Sequence, residues 1–363
     1  MWTSPRPSST ARNRPSSTAP STRWPATPAR PEARPDPVGD EFDHIARDLR
    51  PLTFGAPEAL DLLDDAAVIP SRPGFDLVVT KDAMVAGVHF LPDDPLDLVA
   101  RKQLRVNLSD LAAKAAEPYG YFLAIAWPHG TGEGARALFA AGLEADQRRF
   151  GLKLFGGDTV STPGPLTLSA TLLGWVPAGA MVRRAGARPG DRVLVSGVIG
   201  DGGLGLRAAL GTLADASPED CAALAERYRL PEPRLALRQV LRRCASAAAD
   251  VSDGLLADAG HVARASGVGM RLDLDRLLLS SAAQAWLMRQ DDLASALAEL
   301  ASLGDDYEVV LTTAADRAHE AVALAAEGGV ALTDIGEVVE GEGIAASFRG
   351  EPLRIERMGW THQ

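Results

Sequence analysis

The sequence predicts an α/β or α+β protein of two similar-sized domains, and three observations predict it. Short apolar runs with strand character interleave with amphipathic stretches of helical period in both halves. A length of 363 residues permits two domains of ordinary size, with cores large enough to fold without staples. Pro177 and Gly179 follow a long strand pattern and mark a boundary between a first domain over 38–178 and a second over 179–363.

Composition bounds the function classes. Hydrophobic content of 46% and charged content of 23% describe an ordinary soluble globular chain. Residues 1–37 carry six Arg against Glu32 and Asp36, so this Pro/Ser/Arg-rich extension is +4 and the body is −15 in a chain of net charge −11. It lacks the apolar region of a secretory signal and is read as disordered. An acidic body argues against nucleic-acid binding. The absence of any run of about 18 apolar residues argues against a transmembrane helix. Cys221 and Cys244 form neither a disulfide framework nor a zinc motif, which suits a reducing cytoplasm.

Taken in order, Phe42, Ile45, Ala46 and Leu49 predict a short amphipathic helix ending at Pro51. Leu62 to Ile69 reads as an acid pair, Asp64-Asp65, running into an apolar strand. A second strand, Asp76–Thr80, leads into Lys81-Asp82, and Val85–Phe90 follows. A long helix opens with Asp94 as N-cap and Pro95 in its first turn, and must stop before Pro118. On it Gln103, Asn107, Asp110 and Lys114 share one face, which in isolation reads as a solvated stripe, while Leu104, Leu108, Leu111 and Ala115 share another. A strand over Tyr119–Trp127, a helix from about Gly132 to Phe150 and a strand ending in Gly156-Gly157-Asp158-Thr159 come next, then a strand over Leu166–Trp175. The two glycines would let backbone approach a ligand closely.

In the second half, a basic turn over Met181–Asp191 precedes the strand Arg192–Ser196. Gly200, Gly202 and Gly205 then match G-x-G-x-x-G formally. The continuation as helices, Leu206–Leu210 and Pro218–Tyr228, removes the second strand that a dinucleotide unit needs, so an oxidoreductase would rest on this match alone. No Walker-type P-loop is present. Asp250-Val251-Ser252-Asp253 forms a turn at the head of a helix running to about Ala265, with Ser252 or Asp253 as a candidate N-cap. A strand over Met270–Leu274, a helix over Asp291–Ala301, a second acid pair, Asp305-Asp306, leading into a strand, a helix from about Ala314 to Glu327 and a strand near Asp334–Val338 complete the pattern.

Asp65, Asp82, Asp110, Asp158, Asp250 and Asp253 recur at strand ends, helix faces and turns. If they converge, two carboxylates about 4 Å apart repel by roughly 4 kcal/mol at an effective dielectric near 20, and divalent cations relieve this. Oxygen-only ligands select Mg²⁺ or Mn²⁺ over zinc.

Six stretches in order, Leu63-Asp64-Asp65-Ala66-Ala67, Lys81 to Phe90, Asn107-Leu108-Ser109-Asp110-Leu111-Ala112-Ala113, Gly156-Gly157-Asp158-Thr159, Asp250 to Leu255 and Gly304-Asp305-Asp306-Tyr307-Glu308, resemble the thiamine-monophosphate kinase family. That family belongs to the superfamily of aminoimidazole ribonucleotide synthetase and selenophosphate synthetase. The resemblance runs from about Glu41 to Trp360. It implies a two-domain fold, a homodimer that pairs N-terminal sheets, and ATP-dependent phosphorylation of thiamine monophosphate to thiamine diphosphate. It also implies several Mg²⁺ ions on Asp65, Thr80, Asp82, Asp110, Asp158, Asp250 and Asp253. ATP would meet Gly157, Asp158, Arg184 and Ser252, with Phe150 beside the adenine; His89, Asp305 and Trp360 would face thiamine monophosphate. Asp110, Asp158 and Arg184 would carry the transfer. The chain departs from relatives at Leu63 and Ala115, where Gly is common, at Lys81, where a hydroxyl residue often adds a ligand, and at Asp305, where Glu is common. Alternatives are another ATP-dependent synthetase of the superfamily or a catalytically silent ATP-binding protein. The reactive N-terminal Cys of selenophosphate synthetase and the C-terminal Cys of the hydrogenase-maturation relative are both absent.

Overall fold

The computed structural model describes residues 41–214, 216–355 and 357–360, so the extension expected over 1–37 lies outside them. The first half runs α1 (Glu41–His44), β1 (Phe75–Val85), α2 (Leu96–Ala113), β2 (Glu117–Pro128), α3 (Glu133–Phe150), β3 (Leu154–Thr162) and β4 (Thr167–Pro177). The second runs β5 (Arg192–Ser196), α4 (Asp201–Ala209), α5 (Pro218–Arg229), α6 (Arg238–Cys244), β6 (Ala245–Val251), α7 (Leu255–Ser266), β7 (Gly269–Asp273), α8 (Ser281–Leu287), α9 (Leu293–Ser302), β8 (Glu308–Thr313), α10 (Ala318–Glu327), β9 (Leu332–Val339), β10 (Gly343–Phe348) and β11 (Glu351–Pro352). The four-stranded sheet has the order β1-β4-β2-β3, and the seven-stranded sheet has the order β11-β10-β7-β9-β5-β8-β6. Both are mixed, with β2 parallel to β3 and β10 parallel to β7.

The long helix α2 is the wall between the sheets, packing against β1 and β4 of one and β6 and β8 of the other. Leu104, Leu108 and Leu111 are fully buried, each contributing about 1.5–3 kcal/mol by removal from water. Gln103, Asn107 and Ser109 are fully buried too, and Lys102 and Arg105 nearly so, which overturns the solvated stripe. The hydrophilic face fills the seam where the second sheet approaches. Asp94 does not cap α2: Pro95 holds the N-cap position, and the Asp94 carboxylate accepts from the Leu91 amide and the Arg229 guanidinium. After α2, Ala115 takes φ +59°, a left-handed conformation that explains why glycine suits this position.

The strand expected over Leu62–Ile69 does not form. Leu60, Asp61 and Leu62 have positive φ, and Leu63 and Val68 are exposed, so the segment finds no strand partner. The strand expected over Asp76–Thr80 continues through Lys81 and Asp82 to Val85 as β1, whereas Ala86 to Phe90 leave it in a turn. Neither Ser252 nor Asp253 caps α7; Gly254 occupies that position, and Asp258 accepts hydrogen bonds from both preceding amides.

The glycine match at Gly200–Gly205 has a structural cause. The buried Asp306 carboxylate accepts from the Gly200 and Gly202 amides at 2.8 and 2.9 Å, taking the place a phosphate would have at the start of α4. A Cβ on Gly202 would lie 2.3 Å from the Asp305 carbonyl, and one on Gly205 would lie 2.1 Å from the Leu224 oxygen. The glycines admit protein backbone rather than a nucleotide.

Candidate active site

The acids on β1, α2 and β6 converge. Along β1, Thr80 and Asp82 share the side of the strand that faces α2. Thr80 Oγ1 donates to Asp110 Oδ2 at 2.5 Å. Burial, and then the Asp110 charge beside it, push the Asp82 carboxyl up to about 7. Asp250, 5% exposed at the end of β6, accepts from Ser109 Oγ at 3.1 Å. Its carboxyl is pushed well above the ordinary range by burial first, then by the charges of Asp110 and Asp258. Lys114 does point toward this group: its ammonium donates to the Ala248 carbonyl at 2.8 Å and is felt electrostatically by Asp250 and Asp110. Behind the acids, Gln103 donates to the Asp82 carbonyl and Asn107 to the Gln103 carbonyl, which holds the stripe in register.

A second group forms where β6 turns into α7. Ligand atoms of Asp253, Asp258 and His261 lie within 4.8 Å of one another. The Asp258 carboxyl is pushed up to about 7 by burial and by the Asp253 charge, against the two amide hydrogen bonds from Ser252 and Asp253. The His261 imidazole is pushed down by burial, then by Arg184 and Arg264. Arg184, exposed, is therefore electrostatically in touch with Asp258, His261 and Lys114. The Trp360 amide donates to the Asp253 carbonyl at 2.8 Å, which brings the half-exposed indole to this turn. Gly359 permits that approach, since a Cβ there would lie 2.5 Å from the same carbonyl.

The third group lies around the acid pair in the loop that leads into β8. Asp305 and Tyr307 both take left-handed backbone, at φ +68° and +50°. Their amides donate to the carbonyls of Ser252 and Val251, which ties this loop to the β6–α7 turn. The Tyr307 hydroxyl is pushed well above its ordinary value by burial, then by Asp305, Asp82 and Asp250, so all three carboxylates lie around it. His89 Nδ1 accepts from the Val85 amide at 3.1 Å, which places the proton of the neutral ring on Nε2. Lys102 spans the interval, 3.1 Å from the His89 carbonyl and 3.5 Å from Asp305.

Four expected residues lie elsewhere. Asp65, Gly157 and Asp158 line a cavity of about 340 Å³ with Phe122 and Phe155. Asp158 pairs across the sheet with Ala124, that residue with Ser169, and Ser169 with Ala83. By strand alternation Asp158 therefore occupies the opposite sheet face from Asp82, three strands and about 14 Å away. Lys81 shares that opposite face and is exposed, so it does not replace a ligand beside Asp82. Gly157 is needed by its neighbour strand as well: a Cβ would lie 1.9 Å from the Leu123 carbonyl. Phe150 lines a different cavity, of about 550 Å³, with Arg149, Arg234 and Arg238, and its ring meets the guanidinium groups of Arg105 and Arg149.

Sequence reasoning did not single out Lys102, Ser109, Asp258, His261 or Tyr307 for a role. Ser109 and Tyr307 lay inside quoted motifs, and Asp258 and His261 are three apart on an amphipathic helix, so a search for polar residues at helical spacing would have found them.

Comparison with known proteins reaches the same place. The family described as AIR synthase related protein matches in both parts, its N-terminal domain over residues 63–176 and its C-terminal domain over 188–348. A thiamine-monophosphate kinase of Caulobacter vibrioides is 59% identical over 322 residues, covering 89% of this chain and 90% of its own length. The chain belongs to the thiamine-monophosphate kinase family. The crystal structure of the family's Stenotrophomonas maltophilia K279a member has 37% identity and a TM-score of 0.75, over 85% of this chain and 96% of that one. The structure of AaThiL complexed with AMPPCP and TMP has 28% identity and a TM-score of 0.71, over 81% and 89% of the two chains. As the resemblance implied, the architecture is the mixed α/β fold of this family, and the chain is an enzyme of the phosphotransferase class. Among the described residues no helix is long and apolar enough to cross a membrane.

Proposed function

We propose that this protein transfers the terminal phosphoryl group of ATP to thiamine monophosphate by direct in-line displacement, assisted by several Mg²⁺ ions. The observation that carries the reading is the convergence of Asp82, Asp110 and Asp250, with burial and mutual repulsion driving two of the three carboxyls upward. Anions are forced together in a donor set of oxygen atoms alone, which fits a hard divalent cation and not zinc. Thr80, Asp82, Asp110, Asp250 and Asp253 would hold Mg²⁺, which when bound neutralises phosphate charge. Asp65 and Asp158, which in this chain line the separate cavity, would complete the ligand set only from a second copy.

The chain's own residues do the rest. The acceptor is a phosphate anion, so no general base is needed; its oxygen forms the new P–O bond as the bond to ADP breaks, with no proton to place. Arg184 and the Ser252 turn position ATP, Arg184 as a planar cation suited to phosphate oxygens. Gly157 and Asp158, with the Phe122 and Phe155 rings of their cavity, would add their contacts to ATP from a second copy. Phe150, in its separate cavity, is assigned no contact with ATP. His89, Asp305 and Trp360 receive thiamine monophosphate, the indole face suiting its cationic ring.

The placement of Asp158 across the sheet supports a homodimer, in which a second copy brings its own Asp158 to the acids on β1 and α2. Val79 and Val160, exposed at 57% and 51% on that same face, give such a pairing apolar surface to cover. A domain boundary between residues 178 and 179 and a cytoplasmic setting belong to the same reading. The test is incubation with ATP, Mg²⁺ and either thiamine monophosphate or free thiamine, followed by separation of the thiamine esters. Diphosphate formed from the monophosphate is expected; its absence with folded protein sinks the proposal.

A further inference from the structure

One buried cation has no part in the reading above. Lys102, 2% exposed on α2, donates to the His89 carbonyl at 3.1 Å, stands 3.5 Å from Asp305 Oδ1 and lies 3.6 Å from the centroid of the Tyr228 ring. An ammonium has three donors and no acceptor, so carbonyl, carboxylate and ring face together engage all of it. Burial draws its proton affinity down, and the charges of Asp305 and then Asp94 act against that.

Its two oxygen partners belong to two different loops. The His89 loop is closed on itself by the Gly87 amide to the Phe90 carbonyl and by the Leu91 amide to Asp94; the Tyr228 hydroxyl also reaches the His89 carbonyl, at 3.3 Å. The Asp305 loop is held from the far side, by Asp306 on the Gly200 and Gly202 amides. Lys102 is a charged group that joins the two.

We propose that Lys102 is a positioning residue for the thiamine monophosphate end of the site, setting the spacing of the His89 and Asp305 loops and the direction in which Asp305 presents its carboxylate. This rests on the reading of His89 and Asp305 as substrate contacts. Asp305 is one methylene shorter than the Glu common in relatives, so its reach depends on where the loop is held. Lys102 and the Tyr307 hydroxyl both engage the carboxylate, so together they set the direction in which Asp305 meets a cationic or N–H-bearing group of the ligand.

The test compares wild type, K102M, K102Q, D305N and the K102M/D305N double variant. Thiamine monophosphate and ATP are varied separately in steady-state assays, and binding of thiamine monophosphate alone is followed by calorimetric titration. In K102M the KM for thiamine monophosphate is expected to rise about tenfold or more, the scale of a lost hydrogen bond to a charged group, while the KM for ATP stays within about twofold. The double variant should be no worse than D305N, since the lysine acts through that carboxylate. Equal losses toward both substrates, or additive losses in the double variant, overturn the proposal and leave Lys102 a packing role. Should K102M not fold, K102Q is read the same way, and an unchanged KM for thiamine monophosphate in it is equally fatal. A wild-type protein that forms no diphosphate defeats the functional reading instead; wild type and K102M that then titrate alike with thiamine monophosphate refute the positioning role separately.

Discussion

Stripping divalent cations should make this protein less stable as pH rises; Asp82 supplies one share of the effect, with Asp250 and Asp258 acting in the same direction. The folded Asp82 carboxyl titrates at about 7, against an ordinary value near 3.8, because burial and the Asp110 charge disfavour its anion. The proton is held more tightly folded than unfolded. Stability linked to this group is therefore greatest below pH 4, falls as pH rises toward 7, and is level above that. Three pH units at about 1.4 kcal/mol each amount to about 4 kcal/mol, or roughly 5 °C or more in melting temperature. Thermal melts of chelator-treated protein at pH 5, 6, 7 and 8, with and without 5 mM Mg²⁺ (roughly a saturating dose), test this. Without the cation the melting temperature should drop across the series. With it, the loss should be recovered mainly at pH 7 and 8, where the acids are ionised. Asp110→Asn keeps an oxygen for Thr80 but removes the charge, so the slope should shrink, retaining the part due to burial, and the Mg²⁺ response should largely vanish along with turnover. A flat profile in wild type, or an equal Mg²⁺ response at pH 5 and 8, would refute the account of the acids as crowded anions.

Other expectations follow from single contacts. Glu308, fully buried, accepts from Ser196, Arg227 and Arg234; Glu308→Ala should cost about 3–5 kcal/mol in urea unfolding by stranding two guanidinium groups. Gly202→Ala would drive a methyl group into the Asp305 backbone, so it should lose about 1–3 kcal/mol of stability and raise the KM for thiamine monophosphate more than that for ATP. Mixing inactive Asp110→Asn and Asp158→Asn proteins, then allowing subunit exchange, should restore about a quarter of wild-type activity if the partner supplies Asp158; no recovery despite proven exchange would place both acids in one chain's site.

Much of the fold was legible because burial on one side writes a period into the chain. The strand Arg192–Ser196 and the helices over Glu133–Phe150 and Pro218–Arg229 fall within a few residues of where apolar spacing and capping residues put them. The strand expected at Leu62–Ile69 failed because apolar residues there are left exposed, and a local pattern cannot report the lack of a partner. The burial of Gln103 and Asn107 was hidden for the complementary reason: a hydrophilic face reads as solvated unless the second sheet that covers it is known. The glycine motif misled because a buried aspartate and a phosphate make the same demand on backbone amides. Motif order located the acids, but only strand register revealed that Asp158 faces away from Asp82.

The hydrophilic wall α2 limits how this molecule can move. Prising the sheets apart would strand Arg105, which holds Asp146 together with the carbonyls of Leu230 and Pro231, and would break the Ser109–Asp250 and Lys114–Ala248 contacts. Each buried polar group left without its partner costs about 1–3 kcal/mol, more for the charged ones, so a hinge along this seam is closed to ordinary thermal motion. Substrates must then enter and leave past pieces not anchored on α2, namely the exposed segment around Leu63–Val68 and the C-terminal strap that carries Trp360. Fluorescent labels across the seam should keep a constant separation through turnover, while labels on those two segments should not.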